Sequence, residues 1–176
     1  MTVEQLLKVV TPPSERDAAV DWTAIERELG HGLPRDYKEV VEAYGPGVFD
    51  DFIYVYQPAY PALAIDLKTQ ADRSILALRK LQEEGEPIPY TLQPEPELLS
   101  FARTDNGDVC YWRITETNNP DSWTVTVNSA RDSDWVEFMG GTASFLRSVL
   151  TGEFTVSLFP DDFPSDELEF SPYEID

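Results

Sequence analysis

The chain has 176 residues, of which 41% are hydrophobic, so it is long enough and apolar enough for one folded domain and is not a disordered sequence. Thirteen Lys and Arg face 33 Asp and Glu, which gives a formal net charge of −20 at pH 7. A charge of that sign repels the phosphates of nucleic acids and membranes and attracts basic partners, although an acidic surface also simply keeps a protein soluble.

The N-terminal residues and the cysteine content indicate a cytoplasmic protein. Met1-Thr2-Val3-Glu4 has neither the basic nor the hydrophobic segment of a secretory signal. No apolar run reaches the roughly 20 residues that a membrane helix needs. The single cysteine, Cys110, cannot form an internal disulfide, which agrees with a reducing compartment. The sequence therefore predicts a cytoplasmic location without a membrane partner.

Three short helices are predicted in the first 45 residues. Apolar residues at helical spacing predict the first helix up to Val10, where two prolines follow. Asp21 is a typical N-cap for the second helix. Pro34 suits the first turn of the third helix, because a missing N–H costs nothing there. Gly30 and Gly45 are predicted to end the second and third helices.

The next segment predicts one strand and one longer helix. Apolar and aromatic residues alternate over 49–57, which predicts a single strand that Pro58 ends. Asp66 is a candidate N-cap for a helix over 67–84, with Gly85 after it. Residues 86–97 are rich in proline and predict no regular element.

A β-hairpin is predicted at the centre of the chain, over residues 101–114. Asn106 and Gly107 lie between two strand-forming runs, and both tolerate the positive φ that a two-residue type I′ turn requires. On the second arm Cys110, Trp112 and Ile114 share one face, which is therefore expected to meet the core.

Two strands and a helix are predicted after the hairpin. The strands cover 123–128, as a half-exposed strand, and 135–139. Thr142 is predicted to cap a helix that ends before Gly152, and residues 154–159 would add an edge strand or lie across the core. Together these elements predict an α+β fold in which helices pack around a central antiparallel sheet. The predicted organisation is one domain over 1–159 and an acidic C-terminal tail over 160–176.

Several stretches, taken in order, resemble the SMI1/KNR4, or SUKH, superfamily. They are W-T-A-I-E-R-E-L-G (22–30), L-P-R-D-Y-K-E (33–39), Y-G-P-G-V-F (44–49), F-A-R-T-D-N-G-D-V-C-Y-W (101–112), W-T-V-T-V (123–127) and S-F-L-R-S-V-L-T-G (144–152). The similar region covers about residues 20–152. Pro46 stands where the family often has Gly, and the acidic tail lies outside the signature.

The resemblance implies an antiparallel sheet with helices around it and a function in binding. Most bacterial members look like immunity proteins of polymorphic toxin systems, which bind and block a cognate toxin domain, often a nuclease or a nucleic-acid deaminase. Eukaryotic relatives regulate cell-wall synthesis and signalling through protein contacts. The resemblance therefore implies a non-catalytic toxin inhibitor without a cofactor, and the alternative is a regulatory interaction module with an endogenous partner.

Catalytic and metal sites have weak support in the sequence. Cys110 and His31 could form a nucleophile and base, but Cys110 has the spacing of a small core residue and His31 that of an exposed turn. Pairs of neighbouring acids could hold calcium or serve acid–base chemistry, but none has EF-hand spacing. The sequence has no Cys/His cluster and no phosphate-binding loop, and its scattered basic residues disfavour nucleic-acid binding.

Acidic residues are the candidate contacts for a basic toxin domain. From residue 148 to the end there are eight acids and no Lys or Arg. The alternative for each acid is an exposed charge without a partner. The residues predicted to contact the partner are Asp50, Asp51, Glu83, Glu84, Glu86, Asp161, Asp162, Asp166 and Glu167.

Overall fold

The computed structural model describes residues 3–16 and 19–175, and Asp176 of the predicted tail lies outside them. Within the described residues, seven strands form one antiparallel sheet and five α-helices surround it, which confirms the predicted α+β fold. The helices are α1 (Val3–Leu7), α2 (Trp22–Leu29), α3 (Arg35–Tyr44), α4 (Leu67–Glu83) and α5 (Thr142–Leu150). The strands are β1 (Gly47–Phe49), β2 (Ile53–Val55), β3 (Leu98–Thr104), β4 (Val109–Arg113), β5 (Thr124–Asn128), β6 (Trp135–Phe138) and β7 (Phe170–Pro172). In this part of the chain no helix has the length and apolar composition to span a bilayer.

The sheet is covered on both faces. Its strand order is β6-β5-β4-β3-β2-β1-β7. Trp112 of β4 packs with Tyr37 of α3 on one face, whereas Tyr111 packs with Leu78 of α4 on the other. Strand β5 is consequently less exposed than its alternation predicts, because Tyr90 covers Thr126 with a 2.9 Å hydrogen bond between their hydroxyls.

The segment predicted as a single strand over 49–57 is two strands joined by a tight turn. Phe52 N donates to Phe49 O at 3.0 Å across Asp50 and Asp51, which have φ of 53° and 50°. Positive φ at both central residues is the property of a type I′ hairpin turn, and Asp is among the few residues that tolerate it. The prediction missed this turn because the aromatic alternation continues on both sides of it.

The central hairpin is present, but its predicted two-residue type I′ turn is wrong. Gly107 N donates to Thr104 O at 3.0 Å, and only Gly107, with φ of 90°, lies in the left-handed region. Thr104 N in turn donates to Asp108 O at 2.9 Å. This is a three-residue loop, a β-turn followed by a left-handed glycine. The hydroxyl of Thr104 stabilises it by donating to the Asp108 carboxylate and accepting from Asp108 N.

Two of the three predicted N-caps are confirmed. The carboxylates of Asp21 and Asp66 accept from Ala24 N and Thr69 N, as N-caps do. Helix α5 differs, since Gly141 is its N-cap and Thr142 is already its first residue. The Thr142 hydroxyl accepts instead from the indole of buried Trp112 at 2.9 Å.

The residues after α5 cross the core and then return to the sheet. Residues 154–159 form no strand, and Val156 is buried in the core between partly buried aromatic residues. Strand β7 then pairs with β1, and Phe170 packs on Phe49 and Tyr44 with ring centroids 4.9 and 5.1 Å apart. Gly47 faces this strand so closely that a Cβ there would overlap the ring of Phe170.

Candidate interaction surface

One end of the sheet brings two hairpin turns and the C-terminal segment together. Ile53 at the start of β2 pairs with Thr104 at the end of β3, so the β1–β2 and β3–β4 turns are neighbours. Asp105 N donates to Phe52 O at 2.8 Å and links the two turns. The carboxylate of Asp50 accepts from Ser165 N at 2.8 Å and from the Ser165 hydroxyl, which fixes the C-terminal segment against the first turn.

These three segments enclose a surface cleft of about 460 Å³. We call it the acidic cleft, because its lining includes four carboxylates, those of Asp50, Asp51, Asp105 and Asp162. No Lys or Arg is among the described residues that line it. Like charges held this close add their potentials, so the cleft is a place where a cationic side chain of a partner is attracted.

Aromatic packing supports one wall of the acidic cleft. Phe163 lies 4.7 Å from buried Phe52, and Phe159 lies 5.2 Å from the same ring, measured between ring centroids. The C-terminal segment is thus held by apolar contacts as well as by the bonds between Ser165 and Asp50. Because packed aromatic side chains restrict the backbone that carries them, the backbone on either side of exposed Asp162 is held in place.

Three of the predicted contact residues, Asp50, Asp51 and Asp162, meet in the acidic cleft. Asp161 lines an adjoining cleft of about 280 Å³ that shares Pro160 and Phe163 with it. Asp166 and Glu167 are exposed on the same C-terminal segment but do not line the acidic cleft. Asp105 is not among the predicted contacts, although an acid directly before Asn106-Gly107 is a usable signal.

The three remaining predicted contacts lie elsewhere, at the C-terminal end of α4. Glu83 is the last residue of that helix, Glu84 is its C-cap, and Glu86 follows Gly85. Glu83 and Glu84 are exposed, and Glu86 is half-buried. The helix dipole already makes this end negative, so the three carboxylates add to a potential of the same sign. They line neither the acidic cleft nor the adjoining one.

Cys110 and His31, the two residues considered for catalysis, both pack against other side chains. Cys110 is completely buried in a β-strand, and burial, assisted by nearby Asp108, raises the pKa of its thiol far above the range of a nucleophile. The ring of His31 packs edge-on against Trp123 at 5.4 Å. Across residues 3–16 and 19–175, no group of three or more His, Cys, Asp or Glu side chains is arranged to hold a metal ion.

Comparison with known proteins gives a family match. A family model described as SMI1-KNR4 cell-wall (SUKH_6) matches residues 20–143, from the residue before Asp21 to the first turn of α5. No curated protein and no solved structure matches the chain significantly. The matched region contains α2 to α4 and β1 to β6, whereas β7 and the C-terminal wall of the acidic cleft lie beyond it.

Proposed function

We propose, from the premise that this chain belongs to the SMI1-KNR4 (SUKH) family, that it is a non-catalytic immunity protein. It binds a cognate toxin domain, a nuclease or a nucleic-acid deaminase of a polymorphic toxin system, and neutralises it. Family membership supports a role in protein–protein interaction. In this proposal the protein acts in the cytoplasm, needs no cofactor and contacts neither nucleic acid nor membrane directly.

The charge of the chain supports a partner that normally binds nucleic acid. A surface that binds phosphates must be basic, and a net charge of −20 complements it over a long range. Complementary charges raise association rates to about 10⁸ M⁻¹s⁻¹ or more at low salt. Fast capture suits an inhibitor, because a free toxin domain damages the cell until it is bound.

The acidic cleft is the observation on which the proposal depends. Asp50, Asp51, Asp105 and Asp162 line one concavity that has no Lys or Arg among its described lining residues, and Asp161 lies beside it. Carboxylates spaced around a cleft resemble the phosphates that a basic nuclease surface binds, and bidentate contacts from Arg would give geometric specificity. The proposed contact residues remain the nine acids named above, to which Asp105 is added.

Co-expression with the toxin domain encoded by the neighbouring gene tests the function. The wild-type protein should restore growth and should capture the domain in a pull-down at low salt more strongly than at high salt. Failure to restore growth, together with failure to capture the domain, would contradict the immunity function. A neighbouring gene for a large secreted protein with a variable C-terminal domain also favours immunity over the regulatory alternative.

Charge reversal in the cleft region tests the surface. Asp161→Lys with Asp162→Lys should weaken capture at least about tenfold, because two attractive charges become repulsive. The matched control is Glu95→Lys with Glu116→Lys, which changes the net charge equally at two exposed acids that line neither cleft. Equal weakening by both pairs would show that overall charge, and not the acidic cleft, attracts the partner.

A further inference from the structure

We propose that a second surface, an apolar groove beside α2, binds a peptide segment with large apolar side chains flanked by Lys or Arg. The proposal deepens the proposed function and rests on it for the source of the segment, which is the toxin domain. The groove lies at the opposite end of the β1–β2 hairpin from the acidic cleft, since Pro46 and Gln57 line the groove and Asp50 and Phe52 line the cleft.

Two adjoining cavities form the groove. One has a volume of about 560 Å³ and lies between α2, the end of α3 and the loop after β2. The other, of about 340 Å³, continues along α2 toward the start of α4. Ile25, Pro58 and Ala59 line both cavities, so the two cavities adjoin at these residues. Volumes of this size accommodate several side chains of a ligand.

Helix α2 is the wall with the least burial. None of its residues is fully buried, although Trp22, Ile25 and Leu29 form one apolar face that is half-buried. The helix is attached to α3 on one side, where the indole of Trp22 donates to Glu42 Oε1 at 2.8 Å. Its apolar face therefore lies partly on the core and partly along the groove, where Ile25 contributes to both cavities.

The rim of the groove is acidic. Among the described residues that line the two cavities, Asp21, Glu28, Glu42, Asp66 and Asp72 are acidic and Arg16 and Lys68 are basic, and Asp66 is buried below the rim. One of those cations, Lys68, forms an ion pair with Asp72 at 2.8 Å. An apolar floor between carboxylates complements a segment whose apolar side chains are flanked by positive charges.

This arrangement selects a basic peptide over the other occupants. A second copy of the chain also carries a charge of −20, so its approach to an acidic rim is repelled. An apolar small molecule would fill the floor but would leave the negative charge around it uncompensated, because the carboxylates of Asp21, Glu42 and Asp66 accept only from neutral N–H and O–H groups. A peptide with Leu between Lys residues satisfies both the floor and the rim.

Labelled peptides test the groove without any toxin domain. The sequence Lys-Lys-Leu-Leu-Lys-Lys should bind with a dissociation constant of about 10 to 100 µM at low salt, as short ligands of modest apolar area do. Lys-Lys-Gly-Gly-Lys-Lys carries the same charge without the apolar side chains and should bind at least about tenfold more weakly. Amide shifts in two-dimensional NMR spectra should change at Ala24, Ile25 and Ala59.

A pair of neighbouring substitutions provides the matched control. Ala24 is exposed on α2 and lines the larger cavity, so Ala24→Trp should fill the groove and weaken peptide binding at least about tenfold. Thr23 is exposed on the same helix and lines neither cavity, so Thr23→Trp should leave binding unchanged. Circular dichroism and thermal unfolding of both variants establish that the fold is retained.

Each outcome decides the proposal. Equal binding of the Leu and Gly peptides, shifts confined to the acidic cleft, no binding, or binding that Ala24→Trp leaves intact would overturn it. Binding of the neutral apolar dye Nile red in the groove without binding of the Leu peptide would also overturn it and would identify a small-molecule site. In capture of the toxin domain, Ala24→Trp should be impaired and Thr23→Trp should not. If the wild type and Ala24→Trp capture it equally, the groove proposal fails while the immunity function stands; if the wild type captures none, the function fails while the peptide result stands.

Discussion

The acidic cleft and the groove beside α2 lie at opposite ends of the same short hairpin and offer a partner different interactions. The cleft has four carboxylates above a wall of aromatic rings, whereas the groove has an apolar floor with carboxylates around it. Charged groups mainly set the rate and orientation of an encounter, and buried apolar side chains mainly set how long the complex lasts. Strands β1 and β2 have three residues each, so the two surfaces are separated by roughly 10 Å of strand and one ordinary interface can cover both.

The largest effects are expected when one aromatic residue is removed from the wall of the acidic cleft or from α2, the wall of the groove. Phe163→Ala should cost about 2 to 3 kcal/mol of unfolding free energy and raise amide exchange around residues 160–170, because Phe163 packs on Phe52. Trp22→Ala should cost a similar amount and raise exchange in α2, because it removes the contact with Tyr37 and the bond to Glu42. Urea unfolding and hydrogen exchange measure both effects. Faster exchange in both regions for either variant would show that the two walls are not independent.

Association kinetics with the toxin domain should separate the two surfaces. Asp161→Lys with Asp162→Lys should lower the association rate about tenfold at low salt and change dissociation little. Ala24→Trp should instead raise the dissociation rate about tenfold or more, with little effect on association. Surface plasmon resonance at 50 and 500 mM salt measures both rates. A change in dissociation alone for the charge variant would contradict the division of roles.

Two substitutions of Asp50 should separate the contribution of its charge to stability from that of its positive φ. Asp50→Ala should cost about 2 kcal/mol, because it removes the acceptor of both Ser165 bonds and places Ala at positive φ. Asp50→Asn should cost about half as much, because Asn tolerates positive φ and still offers an oxygen. Urea unfolding of the two variants tests this order, and equal costs would show that the charge alone matters.

The smallest expected effect concerns the attachment of α2 at low pH. Burial acts to raise the pKa of Glu26, but hydrogen bonds from Lys38 and Leu33 N and the charge of Lys38 together lower it. The folded state therefore holds the Glu26 proton less tightly than the unfolded state does. This contribution is present above the unfolded value of about 4.3 and is lost as the pH falls through the folded pKa. The stability difference between the wild type and Glu26→Gln should shrink over that range in urea titrations; a difference that grows would contradict the assignment.

Local signals predicted the helices well, because their ends depend on neighbouring residues. Asp21 and Asp66 cap helices in the structure as they do in the sequence analysis, and Gly30 and Gly85 have the positive φ expected after a helix. Thr142 failed as a cap for a reason outside its own helix. Its hydroxyl accepts from Trp112, and the first-turn N–H of Ala143 donates instead to Asp36, 107 positions earlier.

Only part of the candidate site could be predicted from the sequence, again because contacts between residues far apart in the chain form it. Asp50 and Asp51 could be chosen as acids, but their turn was hidden inside an alternating aromatic run. Their meeting with Asp162 depends on the bonds between Asp50 and Ser165, which are 115 positions apart. The groove left no sequence signal, since it forms where the half-buried face of α2 meets the loop after β2.

The close contact between Gly47 and strand β7 has a consequence for the evolution of this family. A methyl group at that position would occupy the space of the Phe170 ring and of the Ser171 carbonyl oxygen. Strand β7 can therefore pair with β1 in this way only when the first residue of β1 has no side chain. Homologous chains that end before this strand are freed from this requirement, and we expect them to carry larger residues at the equivalent position. Chains that retain the strand should keep glycine there.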